Sequence, residues 1–269
     1  MLTAVTTLAV VAIGGYVLLV AGLYFFQEKL VYFPSGAIVA TPASLGLDYE
    51  EVGVTTEDGV RLHGWFIPAN ESKATVLFFH GNGGNISFRM ETIRILHSLG
   101  SNLLLFDYRG YGKSDGAPGE QGTYKDATAV WKYLTKERGV PANDIVLMGR
   151  SLGGAIASWL AEKESPRCLI LESSFTSLAD VGAEVYPFIP VRMLSRIQYP
   201  TIERLKNIRC PVLIVHSPQD AIIPFHHGEQ LFAAAHPRKE FLRISGGHND
   251  GFVVSEKIYA EGIRNFIMR

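Results

Sequence analysis

The sequence predicts an α/β protein: a mostly parallel sheet with helices on both faces, preceded by one transmembrane helix. Two observations carry that reading. The chain opens on a long run without charge, and beyond it short apolar runs alternate with segments of helical periodicity. Such alternation is the pattern of strand–helix–strand units whose sheet is covered on both sides.

The opening run comes first. The 25 residues from Leu2 to Phe26 carry no charge. At ~1.5 Å per residue they would form a helix ~37 Å long, enough to cross a ~30 Å hydrocarbon core with some tilt. Tyr24, Phe25 and Phe26, then Tyr32 and Phe33, put aromatic rings where an interface belt would lie. A cleaved signal peptide fits less well, because there is no basic flank and the run is too long. Residues 1–33 are therefore expected to be a single-pass anchor whose residues 2–26 contact membrane lipid. Only Lys29 beside Glu28 flanks the run, which is too small a bias to set an orientation. A cut after residue 33 is expected to leave residues 34–269 as a working domain.

The elements of that domain follow in order. Asp48–Thr55 and Val60–Pro68 are expected as strands, with the Asp58-Gly59 turn between them. Ala74–Phe79, Ser101–Phe106, Asp144–Met148, Cys168–Leu171, Val212–Val215 and Glu240–Ile244 supply further strands. Ser87–Leu99, Thr123–Arg138, Leu152–Lys163, Phe225–Ala235 and Val253–Met268 read as helices. In sheets of this kind the ligand sits at the carboxyl ends of the strands, so chemistry belongs in the loops that follow them.

Composition narrows the function classes. Apolar residues make up 47% of the 269 and charged residues 19%, which excludes a disordered or collagen-like chain. Lys plus Arg number 25 against 26 for Asp plus Glu, so no electrostatic case exists for a nucleic-acid partner. Cys168 and Cys210 are too few for a disulfide framework or a four-Cys zinc site. Each opens an apolar run, and two free thiols are expected.

The pattern G-x-S-x-G occurs twice, at Gly112–Gly116 and at Gly149–Gly153. Nucleophilic chemistry needs the serine on a sharp turn from a strand straight into a helix. Ser151 has that context, with Asp144–Met148 before it and Leu152–Lys163 after it. Ser114 lies well past its strand and runs on into Asp-Gly-Ala-Pro-Gly, so it reads as a turn residue. Ser151 is the nucleophile candidate.

Three motifs together make the chain resemble a known superfamily. Gly149–Gly153 in its strand–helix setting, His80-Gly81-Asn82-Gly83-Gly84-Asn85 and Asp107-Tyr108-Arg109-Gly110-Tyr111-Gly112 resemble the α/β-hydrolases. With the anchor and the following Lys29–Pro34, the likeness extends to the membrane-anchored ABHD-type serine hydrolases, which include lipid hydrolases and protein depalmitoylases. The resemblance implies an α/β-hydrolase sheet with a small cap insertion, placed here at residues 173–208. It is weak for substrate, since one fold hosts many chemistries.

A serine needs a base, and the fold places that base after the last strand. His248, in Ser245-Gly246-Gly247-His248, occupies that position. His226 and His227 open a helix and read as surface residues; His216, His63 and His80 read as structural. The orienting carboxylate is expected at Asp220, in the loop after Val212–Val215, which gives the superfamily's chain order of Ser, Asp, His. Glu172, at the tip of the preceding strand, is the runner-up. The oxyanion hole is expected from the backbone N–H groups of Leu152, just after the nucleophile, and Asn82, after His80-Gly81.

Other chemistries fit the same residues poorly. A dinucleotide fingerprint from Gly81 would need glycine where Ile86 stands, and a P-loop ending at Lys113-Ser114 would need glycine at Asp107. No His or Cys pair shows metal-ligand spacing on one helix face. No cofactor and no metal are therefore expected. The segment between Leu171 and Val212 is apolar, and Tyr186, Phe188, Ile189 and Met193 are its candidates for a lid over the substrate. The leading expectation is a membrane-anchored serine hydrolase acting on an acyl ester or thioester, such as a lipid or an acylated protein. A serine peptidase of the oligopeptidase type and a non-catalytic scaffold stand as alternatives.

Overall fold

The computed structural model describes residues 2–70, 72 and 74–269; Met1, Glu71 and Lys73 lie outside the described residues. Eight strands form the main sheet: β1 (Glu50–Thr55), β2 (Arg61–Ile67), β3 (Thr75–Phe79), β4 (Asn102–Phe106), β5 (Ile145–Arg150), β6 (Cys168–Glu172), β7 (Val212–His216) and β8 (Lys239–Arg243). Their order across the sheet is β1-β2-β4-β3-β5-β6-β7-β8. Only β2 runs against its neighbours, pairing antiparallel with β1 and β4, while every other contact is parallel. The β1–β2 hairpin turns at Gly59 with φ of 82°, a left-handed conformation that glycine adopts without steric cost.

The helices are α1 (Leu2–Phe25), α2 (Gln27–Val31), α3 (Met90–Ser98), α4 (Glu120–Lys132), α5 (Leu152–Lys163), α6 (Leu178–Val185), α7 (Val191–Leu194), α8 (Thr201–Leu205), α9 (Phe225–Ala234), α10 (Gly251–Val254) and α11 (Glu256–Ile267). Alternate strand residues feed two apolar cores, one on each face of the sheet. Leu77 and Phe79 of β3 join Trp131, Ile156 and Leu231 from α4, α5 and α9. Val76 and Phe78 join Ile93, Leu96, Tyr259 and Ile263 from α3 and α11. Period-2 strands between two helical layers give this arrangement directly.

Two expected boundaries are corrected. The closing helix is broken at Ser255, which separates α10 from α11 because its hydroxyl accepts from the Ser245 N–H at 2.8 Å. The boundary expected after residue 33 falls near Phe26, where α1 ends. Tyr32 is buried in the core and shares a 2.9 Å hydroxyl–hydroxyl hydrogen bond with Tyr199. Phe33-Pro34 also pairs in parallel with Gly83-Gly84. Residues 27–34 thus pack as part of the domain.

Helix α1 is apolar all round; residues 3–19 are exposed and residues 20–24 half-buried. Cys168 and Cys210 are free thiols, and burial pushes them up to about 12 and about 11.

Candidate active site

Strand β5 hands the chain to α5 through Ser151, whose φ of 54° and ψ of −120° are strained for a residue with a Cβ. Close packing forces the turn. A Cβ on Gly153 would stand 2.0 Å from the Phe79 carbonyl oxygen, and one on Gly149 would stand 2.3 Å from that of Gly153. The small residues on either side of Ser151 are therefore required by contact with the neighbouring strand and helix. The Ser151 N–H donates to the Glu172 carbonyl at 2.8 Å, and its own carbonyl accepts from Gly154 N at 2.9 Å and from the Ser174 hydroxyl at 3.1 Å. These bonds hold the backbone, and the hydroxyl is uncommitted among the described residues.

The turn after β7 carries Asp220. Its Oδ1 accepts from the Ile222 and Ile223 N–H groups at 2.9 and 2.8 Å, and its Oδ2 accepts from His248 Nδ1 at 2.7 Å. His216 Nε2 lies 3.5 Å from the same oxygen. Burial opposes the charge of this carboxylate. Hydrogen bonds from His216 and His248, the His248 charge and the Ile223 N–H overcome it and hold the group well below the usual carboxylate range. With Nδ1 of His248 donating to Asp220, the neutral ring presents Nε2 as an acceptor. His248 itself sits between β8 and α10, in a loop tied down by the Ser217 hydroxyl on the Gly246 carbonyl at 2.5 Å.

Ser151, His248, Asn82 and Leu152 all line one cavity of about 670 Å³ at the carboxyl ends of the strands. No hydrogen bond joins Ser151 to His248 in this conformation; such contacts commonly tighten only when substrate is bound. Leu152 is the first residue of α5, so its N–H has no partner within the helix. The Asn82 N–H likewise has no partner among the described residues. A second cavity of equal volume, beside Cys168, Cys210 and Arg238, lies at the opposite, amino ends of β6 to β8 and holds none of these groups.

The competing residues are committed elsewhere. Glu172 forms a buried fork with Arg150, at 2.8 and 3.1 Å, and accepts from the Tyr259 hydroxyl at 2.7 Å. Ser114 is buried, donating to the Asp107 carbonyl at 2.8 Å and accepting from the His63 N–H at 2.9 Å. His80 is fully buried beneath its loop, with Nδ1 donating to the Gly81 carbonyl at 2.7 Å. Burial pushes His80 down to about 4, against the pull of Asp107, and the nearby Arg89 adds to the shift.

Two expectations are corrected. None of the four lid candidates lines the cavity beside Ser151. Phe188 and Met193 are 88% and 86% exposed, while Tyr186 and Ile189 face α1. The chain turns away at the end of α6, so Leu178 and Val181 on that helix face Ser151 instead. His227 is buried rather than on the surface, with Nδ1 2.9 Å from the Thr176 hydroxyl. Together with His226 and Glu184 it brings three ligand atoms within 4.8 Å of one another, which is where these residues would hold a cation. None of the three lines the Ser151 cavity.

Sequence reasoning missed Leu30, Val31, Arg89, Ile222, Ile223 and Phe252, all on the cavity wall. Arg89 also donates to the Gly83 carbonyl and so props the loop that carries Asn82.

The comparisons with known proteins agree with this architecture. A family described as serine aminopeptidase, S33, matches residues 70–198. The chain is 37% identical to the alpha/beta hydrolase domain-containing protein WAV2 of Arabidopsis thaliana over 276 residues, which covers 93% of this chain and 88% of that protein. It is 34% identical to the uncharacterized membrane protein YNL320W of Saccharomyces cerevisiae, covering 95% of each. Among solved structures, the Pyrococcus furiosus esterase Pf2001 superposes with a TM-score of 0.75 at 23% identity, over 89% of this chain and 97% of that one. The sheet order, the strained serine between β5 and α5 and a near full-length relative with that domain lead to one assignment. The chain belongs to the α/β-hydrolase superfamily.

Proposed function

We infer that this protein is a membrane-anchored serine hydrolase that cleaves carboxylic esters or thioesters of acyl substrates through an acyl-enzyme. The observation that carries the reading is the 2.7 Å bond between Asp220 and His248, which leaves the far ring nitrogen facing the cavity that Ser151 opens onto. In this reading Ser151 Oγ attacks the substrate carbonyl carbon and its proton passes to His248 Nε2. The N–H groups of Leu152 and Asn82 hold the oxyanion, each worth ~2.7–4 kcal/mol. Collapse expels the alkoxide or thiolate, which takes the proton from His248. Water then gives a proton to the same nitrogen, its oxygen attacks the acyl carbon, and the acid leaves as Ser151 recovers its hydrogen.

The description of the matching family raises a peptidase reading. Capture of a free α-ammonium group needs a carboxylate, and among the described residues the charged side chains lining the cavity are Arg89 and Arg150, the latter already neutralised by Glu172. That lining favours esters over peptide amines. Anchoring is supported by α1, whose 24 residues reach ~36 Å, and by the membrane label of the yeast relative.

The test is a panel of short and long acyl esters, acyl thioesters and aminoacyl amides, run with covalent labelling by a fluorophosphonate. Wild type should label and cleave esters or thioesters, and Ser151→Ala should do neither, a loss on the order of 10⁶ in kcat. Cleavage of the amides alone would favour the peptidase, and full labelling of Ser151→Ala would move the nucleophile elsewhere.

A further inference from the structure

Helix α1 stands beside the segment that carries α6 and α7, yet the two do not close on each other. Polar struts hold them at both ends. The Tyr16 hydroxyl donates to the Phe188 carbonyl at 2.9 Å, while the Gln27 side chain donates to the Leu194 carbonyl at 2.9 Å and accepts from Arg196 N at 2.8 Å. Between the struts lies a gap of about 290 Å³ walled by Val20, Leu23 and Tyr24 on one side and Val185, Ile189 and Leu194 on the other. No Asp, Glu, Lys or Arg lines it. It continues into an outer apolar hollow against α1 of about 460 Å³, with which it shares Val20, Tyr24 and Leu194. At its inner end it shares Leu30, Val31, Leu178 and Val181 with the cavity beside Ser151.

Two apolar faces pinned apart by hydrogen bonds offer an apolar chain surface to bury on both sides. Three features specify such an occupant. It must be uncharged and apolar over the ~16 Å that separate Tyr16 from Gln27 along the α1 axis. It must enter from the side of a helix that the proposed function puts in a bilayer. And it must be thin enough to pass between α2 and α6 toward the Ser151 hydroxyl.

We propose that this groove binds the long acyl chain of a membrane lipid, which slides laterally from the bilayer along α1 and delivers its ester carbonyl to Ser151. The anchor helix is then one wall of the substrate site as well as a tether. This rests on the hydrolase reading above and adds to it the identity of the acyl group, a long chain, and the route by which it arrives. Tyr186 and Ile189, which do not reach Ser151, have a place in it as part of the groove wall.

The test uses the full-length protein in detergent micelles, with p-nitrophenyl butyrate and p-nitrophenyl palmitate as probes. The readout is the ratio of kcat/KM for the long over the short ester, from which any loss of folded enzyme cancels. Wild type should favour the palmitate. Val20→Trp and Leu23→Trp fill the groove and should lower the ratio by about tenfold or more, the effect of excluding about two methylenes from an apolar site. Leu8→Trp, on the exposed part of α1, should leave it unchanged. A ratio unaltered in Val20→Trp and Leu23→Trp overturns the groove, as does a wild type that cleaves only the butyrate; the hydrolase reading survives either result. A wild type that neither labels with a fluorophosphonate nor cleaves an ester or thioester of either length removes both readings. A groove filled by a second copy of the chain would show as dimers that Leu23→Trp disperses with the ratio intact, which also overturns the proposal.

Discussion

The side chain of Asn82 donates through Nδ2 to the carbonyl of Val31, so the loop beside Ser151 is held by the end of α2. Its Oδ1 completes the tie, accepting from the Tyr111 hydroxyl at 2.9 Å and from Phe33 N at 3.3 Å. A residue expected to serve through its backbone N–H therefore also fixes, through its side chain, the segment that follows α1. The point of truncation decides what is lost. A protein beginning at Gln27 should fold and keep its rate on short soluble esters while losing its preference for long chains.

One beginning at Pro34 lacks Val31, Tyr32 and Phe33, and so both the Asn82 tie and the buried Tyr32–Tyr199 bond. Deleting a buried aromatic side chain typically costs about 3–5 kcal/mol. Thermal melts and short-ester kinetics on the two truncations check this. Equal stability and rate would mean that residues 27–33 contribute nothing to the site.

Asp220 and Glu172 should separate by the kind of damage their loss does. Asp220→Asn leaves the fold in place but removes the acceptor that sets the His248 tautomer, and kcat should fall by on the order of 10⁴. Glu172→Gln breaks the buried fork with Arg150 and should cost about 3–5 kcal/mol of stability. The protein that remains folded should turn over normally once active sites are counted with a fluorophosphonate. The reverse pattern would give the acid's role to Glu172.

The two G-x-S-x-G motifs make a second pair. Gly153→Ala drives a methyl group into the Phe79 carbonyl, and both stability and labelling of Ser151 should collapse. Ser114→Ala removes a hydroxyl that satisfies the His63 N–H and the Asp107 carbonyl in the interior, so it should cost about 1–3 kcal/mol without touching the chemistry. A melt and a labelling assay on each variant distinguish the two outcomes.

What the sequence made legible was local. Helix α5 coincides with the Leu152–Lys163 pattern, and Ser151 was separated from Ser114 by its strand and helix neighbours alone. The pairing of Asp220 with His248 was implied by the resemblance to the α/β-hydrolases, whose chain order of Ser, Asp, His these residues match, with Glu172 as the runner-up. What stayed hidden depended on contacts between distant segments. The apolar residues between β6 and β7 read as one surface, yet Leu178 and Val181 face Ser151 while Tyr186 and Ile189 face α1. The break at Ser255 depends on Ser245, ten residues earlier, and the burial of His227 depends on Thr176. No periodicity within one segment reports a partner in another.

Acid should weaken the fold before it discharges Asp220, and His80 is one source of that loss. Burial holds His80 down to about 4 in the folded protein, against an unfolded value of ~6.5. Between those values the unfolded chain binds a proton that the folded one refuses, so stability rises with pH across the window and falls as pH drops from ~6.5 toward 4. A shift of that size corresponds to about 3 kcal/mol lost by the bottom of the window. His227, also pushed down by burial, acts in the same direction. Asp220 contributes in another range. Its folded value is depressed, so its share is fully present above the ordinary carboxylate range and is lost only at lower pH. Urea melts from pH 4.5 to 7.5 should therefore show a slope that His80→Gln flattens, with the amide keeping a donor for the Gly81 carbonyl but no titration. An unchanged slope in His80→Gln would assign the acid sensitivity to other groups, His227 first among them.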